Sequence, residues 1–270
     1  ITGGVVNFMK EDYLTNFYPI DTYEYQENPG IIGYALGEPE NVIPLHKVVS
    51  VPVSVKKISL EKCIDDNCFF ADSLFAPDPV ISYRPEALGE NHGWVLTSSK
   101  KNLRDTETAT IFLERISDTV PGVFNSPFQA AIAVSGPETQ EVELVPGVYK
   151  VTGTAVLNEP IVIPEERRCI EIEIIPGIWE ESECFTIDEI TFDAFVTSQI
   201  EWNTKDTYIT ITPEQLYGSQ GITLYLPVQE MRNVPEEEHV RVMEDLNVMA
   251  ELSNLTRQLK TRRMLHPTFT

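Results

Sequence analysis

The sequence predicts a mainly β protein, antiparallel β-sandwich domains with one C-terminal α-helix, on three observations. From Thr106 onward, short apolar segments recur at close intervals between turn residues. No helical pattern long enough to carry the chain between parallel strands separates them. The four cysteines fall as two close couples, Cys63 with Cys68 and Cys169 with Cys184, the usage of disulfides that staple turns in proteins of oxidising compartments.

Residues 1–105 form a Tyr- and Pro-rich β domain with Tyr13, Tyr18, Tyr23 and Tyr25 crowded near its start. Val49, Val51, Val53 and Val55 alternate with Ser50, Pro52, Ser54 and Lys56, a period of two that puts four β-branched side chains on one face of a strand. Pro52 has no N–H to give to a ladder, which predicts an edge strand or a bulge there. The Cys63 to Cys68 loop follows, and Pro, Gly and charged residues between about Ala76 and Asp105 mark a domain boundary.

A β-sandwich domain is expected over 106–232. Its strands are read at Thr108–Ile116, Gln129–Ser135, Gln140–Leu144, Val148–Leu157, Ile161–Ile163, Cys169–Ile175, Phe185–Phe192, Tyr208–Ile211 and Ile222–Leu226. Ile170, Ile172 and Ile174 alternate with Glu171 and Glu173, predicting one face against the core and one in water. Pro-Gly at Pro29, Pro121, Pro146 and Pro176 suits type II turns, with Pro presetting φ and Gly taking positive φ. Thr212-Pro213-Glu214-Gln215 has a capping box and Pro at the first helical position, predicting a short helical turn that runs to Gly218.

Residues 233–270 hold the long helix and a tail. Glu236 to Glu238 in its first turn and Arg257, Lys260, Arg262 and Arg263 in its last complement the helix dipole. Val242, Leu246, Met249, Leu252, Leu255 and Leu259 form an apolar stripe, which either packs across the sandwich or serves as an oligomer contact.

The bulk numbers bound the partners. With 270 residues, 42% of them hydrophobic, the chain can bury a core in each domain. Forty-two acidic against 20 basic residues give a net charge of -22, a field that repels phosphate backbones, so nucleic acid is excluded as a partner. The excess suits a salty or calcium-containing exterior, where charges are screened over about 8 Å. The chain opens on Ile1 and reads as a processed or trimmed product. No apolar run approaches the roughly 18 residues of a spanning helix, so any membrane anchor would lie outside this chain, upstream of Ile1.

Few residues carry chemistry. The cysteine spacings, four and fourteen intervening residues, do not match the close knuckles of structural zinc and favour disulfides. Asp65 and Asp66 in the first cysteine loop, with Asp72 nearby, offer the hard oxygen ligands calcium takes, without the ordered spacing of an EF-hand; a solvated acidic turn is the competing reading. His46, His92, His239 and His266 are scattered and form no metal pair. No nucleophile elbow or phosphate loop is present, so no enzyme and no cofactor is expected. Tyr13, Tyr18, Tyr23 and Tyr25, set among Asp, Asn and Glu, suit a sugar-stacking platform or a protein interface, or simply fill a loop-rich core.

Leu144-Val145-Pro146-Gly147-Val148-Tyr149-Lys150-Val151 resembles the L-x-P-G-x-Y-x-V strand of prealbumin-like and peptidase-regulatory-like β-sandwich modules. The wider run, with Pro160-Ile161-Val162-Ile163-Pro164, Cys169 and Cys184-Phe185-Thr186-Ile187, is similar to uncharacterised surface-anchored proteins of archaea. The resemblance covers about half the chain. It implies an Ig-like or prealbumin-like fold and an extracellular, commonly non-enzymatic role, and it transfers no functional residue. The expected function is a cell-surface or extracellular structural protein that associates with itself or with another surface protein, as a filament, layer or adhesion component. A glycan- or calcium-dependent binding module and a viral structural protein are the alternatives.

Overall fold

The computed structural model describes residues 4–20, 45–62, 81–83, 94–119, 124–175, 179–236, 239 and 265–270. In chain order the strands are β1 (Gly4–Phe8), β2 (Asn16–Ile20), β3 (Val49–Lys62), β4 (Ile81–Tyr83), β5 (Trp94–Asn102), β6 (Glu107–Ser117), β7 (Phe124–Asn125), β8 (Phe128–Ser135) and β9 (Thr139–Leu144). They continue with β10 (Gly147–Leu157), β11 (Ile161–Ile163), β12 (Glu166–Ile175), β13 (Trp179–Ile187), β14 (Ile190–Phe192), β15 (Phe195–Trp202) and β16 (Ile209–Ile211). Helix α1 (Pro213–Gly218), β17 (Ile222–Gln229), a 3-10 turn at Met231–Asn233 and β18 (Thr268–Phe269) complete the series.

Two sheets face each other. One runs β15-β10-β6-β8 with β16 also on β10; the other runs β18-β17-β3-β5-β4 with β9 also on β3. Period-two alternation makes each strand two-faced: Ala109, Ile111 and Leu113 of β6 and Ala130, Ile132 and Val134 of β8 point inward, while Thr110, Phe112, Ala131 and Ala133 do not. Val51, Val53 and Val55 of β3 and Leu224, Leu226 and Val228 of β17 meet them in one hydrophobic cluster. Each Val, Leu and Ile among them contributes roughly 1.5–3 kcal/mol by leaving water. Gly153 of β10 leaves room for this packing, since a Cβ there would stand 2.8 Å from Leu226 Cδ2 of the facing sheet and 3.0 Å from Ile200 Cγ1 of the neighbouring strand.

This β-sandwich is the expected fold class, and several strands match the sequence reading to within one or two residues. The capping box at Thr212 is present in full, its hydroxyl accepting from Gln215 N and the Gln215 side chain accepting from Thr212 N. Glu236 and His239, at the expected start of the last helix, are helical, and the rest of that expected helix lies outside the described residues.

Other expectations are corrected. The boundary near residue 105 does not separate two cores: β3, before it, pairs with β9 (Val51↔Val142) and with β17 (Val53↔Ile222), both after it. The β3–β17 ladder is parallel, whereas the other ladders among the described residues are antiparallel. Between the two strands the chain builds the opposing sheet as well as β4, β5 and β9 of their own. Strand β3 is consequently central rather than an edge. Pro52 is accommodated because its backbone faces Gly221, whose Cβ position lies 3.2 Å from the Pro52 carbonyl, just where the parallel ladder begins. Pro146-Gly147 is not a type II turn, since Gly147 already belongs to β10, paired with Ile211, and its φ is not positive. The glycine is required there because a Cβ would overlap the Arg115 side chain, with Cδ and Cγ both at 2.9 Å. The other three Pro-Gly pairs lie outside the described residues.

Candidate interaction surface

Residues 161–192 leave the sandwich as a two-stranded arm. The ladder β11–β14 (Ile161↔Phe192) forms its base and β12–β13 (Glu166↔Ile187) its shaft. The ten residues of β12 span about 33 Å at ~3.3 Å per residue. Two-stranded ribbons are marginal in water without support, and this one carries a cross-link. Cys169 and Cys184 lie directly opposite in the register and form a disulfide, with Cα atoms 4.0 Å apart. That bears out the expected pairing and is compatible with an oxidising compartment.

The arm's faces follow from the register. Cys169 and Cys184 share one face, so Arg168, Ile170, Glu183 and Phe185 share the other. Ile170 is 54% and Phe185 44% exposed. The sequence expectation that the Ile170 face meets the core is therefore corrected: alternation sets which residues share a face, not what covers it. At the base, Arg232 forks onto the Glu159 carboxylate, its Nε donating to Oε2 at 2.7 Å. The guanidinium holds the Glu159 carboxyl below the usual range. His239 contacts the Val162 carbonyl through Nδ1 at 2.7 Å and the Val234 carbonyl through Nε2 at 3.2 Å. Arg232 and His239 thus brace the arm at its root.

Two buried ionic clusters lie inside the sandwich. In the first, Lys57 Nζ is 2.6 Å from Glu107 and 2.9 Å from Glu230. Ser59 donates to Glu230 at 2.8 Å and Arg104 at 2.6 Å, and Arg104 N donates to Glu107 Oε2 at 2.7 Å. Burial pushes the Glu230 carboxyl up, but hydrogen bonds from Lys57 and Ser59 and the charges of Lys57 and Arg104 outweigh it and leave it lowered. In the second, Asp118 accepts from Arg115 Nη2 at 2.8 Å and from His46 Nε2 at 2.9 Å, which fixes the proton-bearing nitrogen of His46. Arg115 Nε donates to the Pro146 carbonyl at 2.8 Å and Tyr149 to the Val145 carbonyl at 2.5 Å. Burial pushes the Tyr149 phenol well above its ordinary value against the opposing pull of Arg115. This cluster ties the N-terminal segment down, because Leu14 N donates to the His46 carbonyl at 2.9 Å and Val48 N to that of Asp12 at 2.7 Å. Lys57, Glu107 and Glu230 of the first cluster and His46, Arg115 and Asp118 of the second are buried, while the Arg104 guanidinium reaches the surface at the rim of the first.

The residues singled out from the sequence are not gathered into one site. Tyr13 bridges to Lys47, half-buried, with the Lys10 ammonium 4.1 Å above its ring. Tyr18 lies in β2 opposite Val6. Tyr23, Tyr25, Cys63, Cys68, Asp65, Asp66 and Asp72 lie outside the described residues, as do Leu246, Met249, Leu252, Leu255 and Leu259. Among the described residues no group of three or more His, Cys, Asp or Glu is placed to hold a metal ion, and no helix is long and apolar enough to cross a membrane.

What the sequence reading missed was signalled in it. Lys57 occupies the next inward position after Val51, Val53 and Val55, and a lysine there demands buried anions. No family model, curated protein or solved structure matches this chain.

Proposed function

We propose that the protein is a non-enzymatic extracellular or cell-surface structural protein that associates with copies of itself through the 161–192 arm. The observation that carries this reading is the disulfide-clasped ribbon with Ile170 and Phe185 exposed on one face. Apolar side chains on a projecting ribbon serve association rather than folding. The ribbon also offers open strand edges, which pair readily with another chain. Its carboxylates at Glu171, Glu173, Glu180, Glu181 and Glu183 outnumber Arg167 and Arg168, so contact between copies requires screening, and assembly rises with salt or calcium.

Light scattering on size-exclusion fractions, with electron microscopy over a range of salt and calcium concentrations, tests this. Assemblies are expected from the parent protein, and Phe185→Asp with Ile170→Asp should return a monomer of unchanged melting temperature. A strict monomer under every condition, or assembly indifferent to both substitutions, overturns the reading.

A further inference from the structure

The Lys57 cluster has the components of an amide-forming centre. Lys57 side-chain exposure is 1%, that of Glu107 2% and that of Glu230 1%. Two full ion pairs in so dry a place carry a heavy desolvation cost. Glu230 keeps Arg104 as a second cationic partner at 2.6 Å, whereas the ion-pair partner of Glu107 within the cluster is Lys57. Passing one proton from Lys57 to Glu107 therefore leaves a neutral amine beside a neutral carboxylic acid, with the Glu230–Arg104 pair still balanced. The amine nitrogen is then 2.6 Å from one oxygen of that acid, while the other accepts the Arg104 backbone N–H at 2.7 Å.

We propose that Lys57 and Glu107 condense into an intramolecular amide bond, a self-made cross-link between the two sheets. The Lys57 nitrogen attacks Glu107 Cδ. Negative charge develops on Glu107 Oε2, where the Arg104 backbone N–H already points, as an oxyanion donor must. Glu230 Oε1, 2.9 Å from Lys57 Nζ, takes the amine proton and delivers it to Oε1 of Glu107, which leaves as water. One N–C bond forms and one C–O bond breaks, nothing is oxidised or reduced, and no co-reactant is needed. Fixed proximity of the reacting groups supplies what an intermolecular condensation in water lacks. Elimination of one buried cation and one buried anion favours the product. The bond would tie β3 of one sheet to the first residue of β6 in the other, closing a covalent loop through residues 58–106.

Intact mass of the purified, fully reduced chain is the test. The cross-linked protein is one water, about 18 Da, lighter than its sequence, and a tryptic digest yields a branched peptide joining the segments that contain Lys57 and Glu107, with no cleavage after Lys57. Lys57→Arg, folded by circular dichroism, should have the full sequence mass. Glu230→Gln should fold yet lose most of the 18 Da deficit after matched times. The full mass in the parent protein, with Lys57 open to acetylation after unfolding, overturns the proposal. A branch at Glu230 in place of Glu107 overturns the assignment of roles, as does complete cross-linking in Glu230→Gln.

Discussion

Glu107 and Arg115 close the two ends of a single inward-facing row on β6. Between them stand Ala109, Ile111 and Leu113, all buried. Each terminal side chain enters a different ionic cluster, Glu107 meeting Lys57 at 2.6 Å and Arg115 meeting Asp118 at 2.8 Å. One strand thus supplies the apolar middle of the sandwich and a charged plug at either end. The second plug also holds His46 and, through the backbone beside it, the segment that leads to β2.

Removing one member of a buried pair leaves its partner charged and desolvated, at a cost of about 3–5 kcal/mol. Arg115→Met is therefore expected to lower stability by about that amount, since Asp118 loses its guanidinium and the Pro146 carbonyl loses its donor. Arg167→Met, at an exposed position on the arm, should stay within about 0.5 kcal/mol of the parent. Urea unfolding of both variants measures the difference, and equal effects would show that burial of the Arg115 pair does not govern its weight.

Gly147→Ala tests the packing of the same cluster from the other side. The new methyl would overlap the Arg115 side chain, forcing that side chain or β10 to shift, and a loss of roughly 1–3 kcal/mol is expected. Gly218, with nothing within 4 Å of its Cβ position, is the control; its Ala variant should unfold like the parent. A neutral Gly147→Ala would mean that Arg115 can move aside at little cost.

The pH dependence follows from Glu230. Its carboxyl is held below the ordinary value of 4.5, so the unfolded chain takes up this proton first on acidification. The resulting stability is fully present above the unfolded value and is lost as pH falls through the folded one. Stability measured by urea unfolding should therefore fall with decreasing pH below about 4.5, and Glu230→Gln should flatten that slope. A variant slope identical to that of the parent would remove Glu230 from the account.

Much of the sandwich was legible because its strands bury one face each: the alternations from Thr108 and from Val148 could be read directly. Their inward rows, beginning at Glu107 and ending at Arg115 in one case, also carried the charged ends that mark the clusters. What alternation cannot specify is the partner of each face and edge. Val49 to Val55 looks the same in a central strand as at an edge, and only the return of β17, far along the chain, makes β3 central. The division at residue 105 failed for the same reason, since β9 and β17 complete a sheet begun by β3. Ile170, Ile172 and Ile174 read as a core-facing strand, yet Ile170 stands in solvent. The cysteine couple within that segment was the better guide, because a ribbon resting on a core has less need of a staple.

That staple should act locally. The Cys169–Cys184 bridge spans 15 positions of sequence, and closing a loop of that size is worth about 3 kcal/mol in the chain-entropy model. The stabilisation falls on the arm, because β12 and β13 make their extensive contacts with each other. Cys169→Ser with Cys184→Ser should leave the melting temperature of the sandwich nearly unchanged while amide exchange in 166–187 accelerates on the order of 100-fold. Limited proteolysis should cut within that span in the variant and spare it in the parent. If the variant instead loses cooperative unfolding of the whole chain, the arm is part of the core's folding unit. An arm that stays protected without its disulfide is held by something other than its own cross-link.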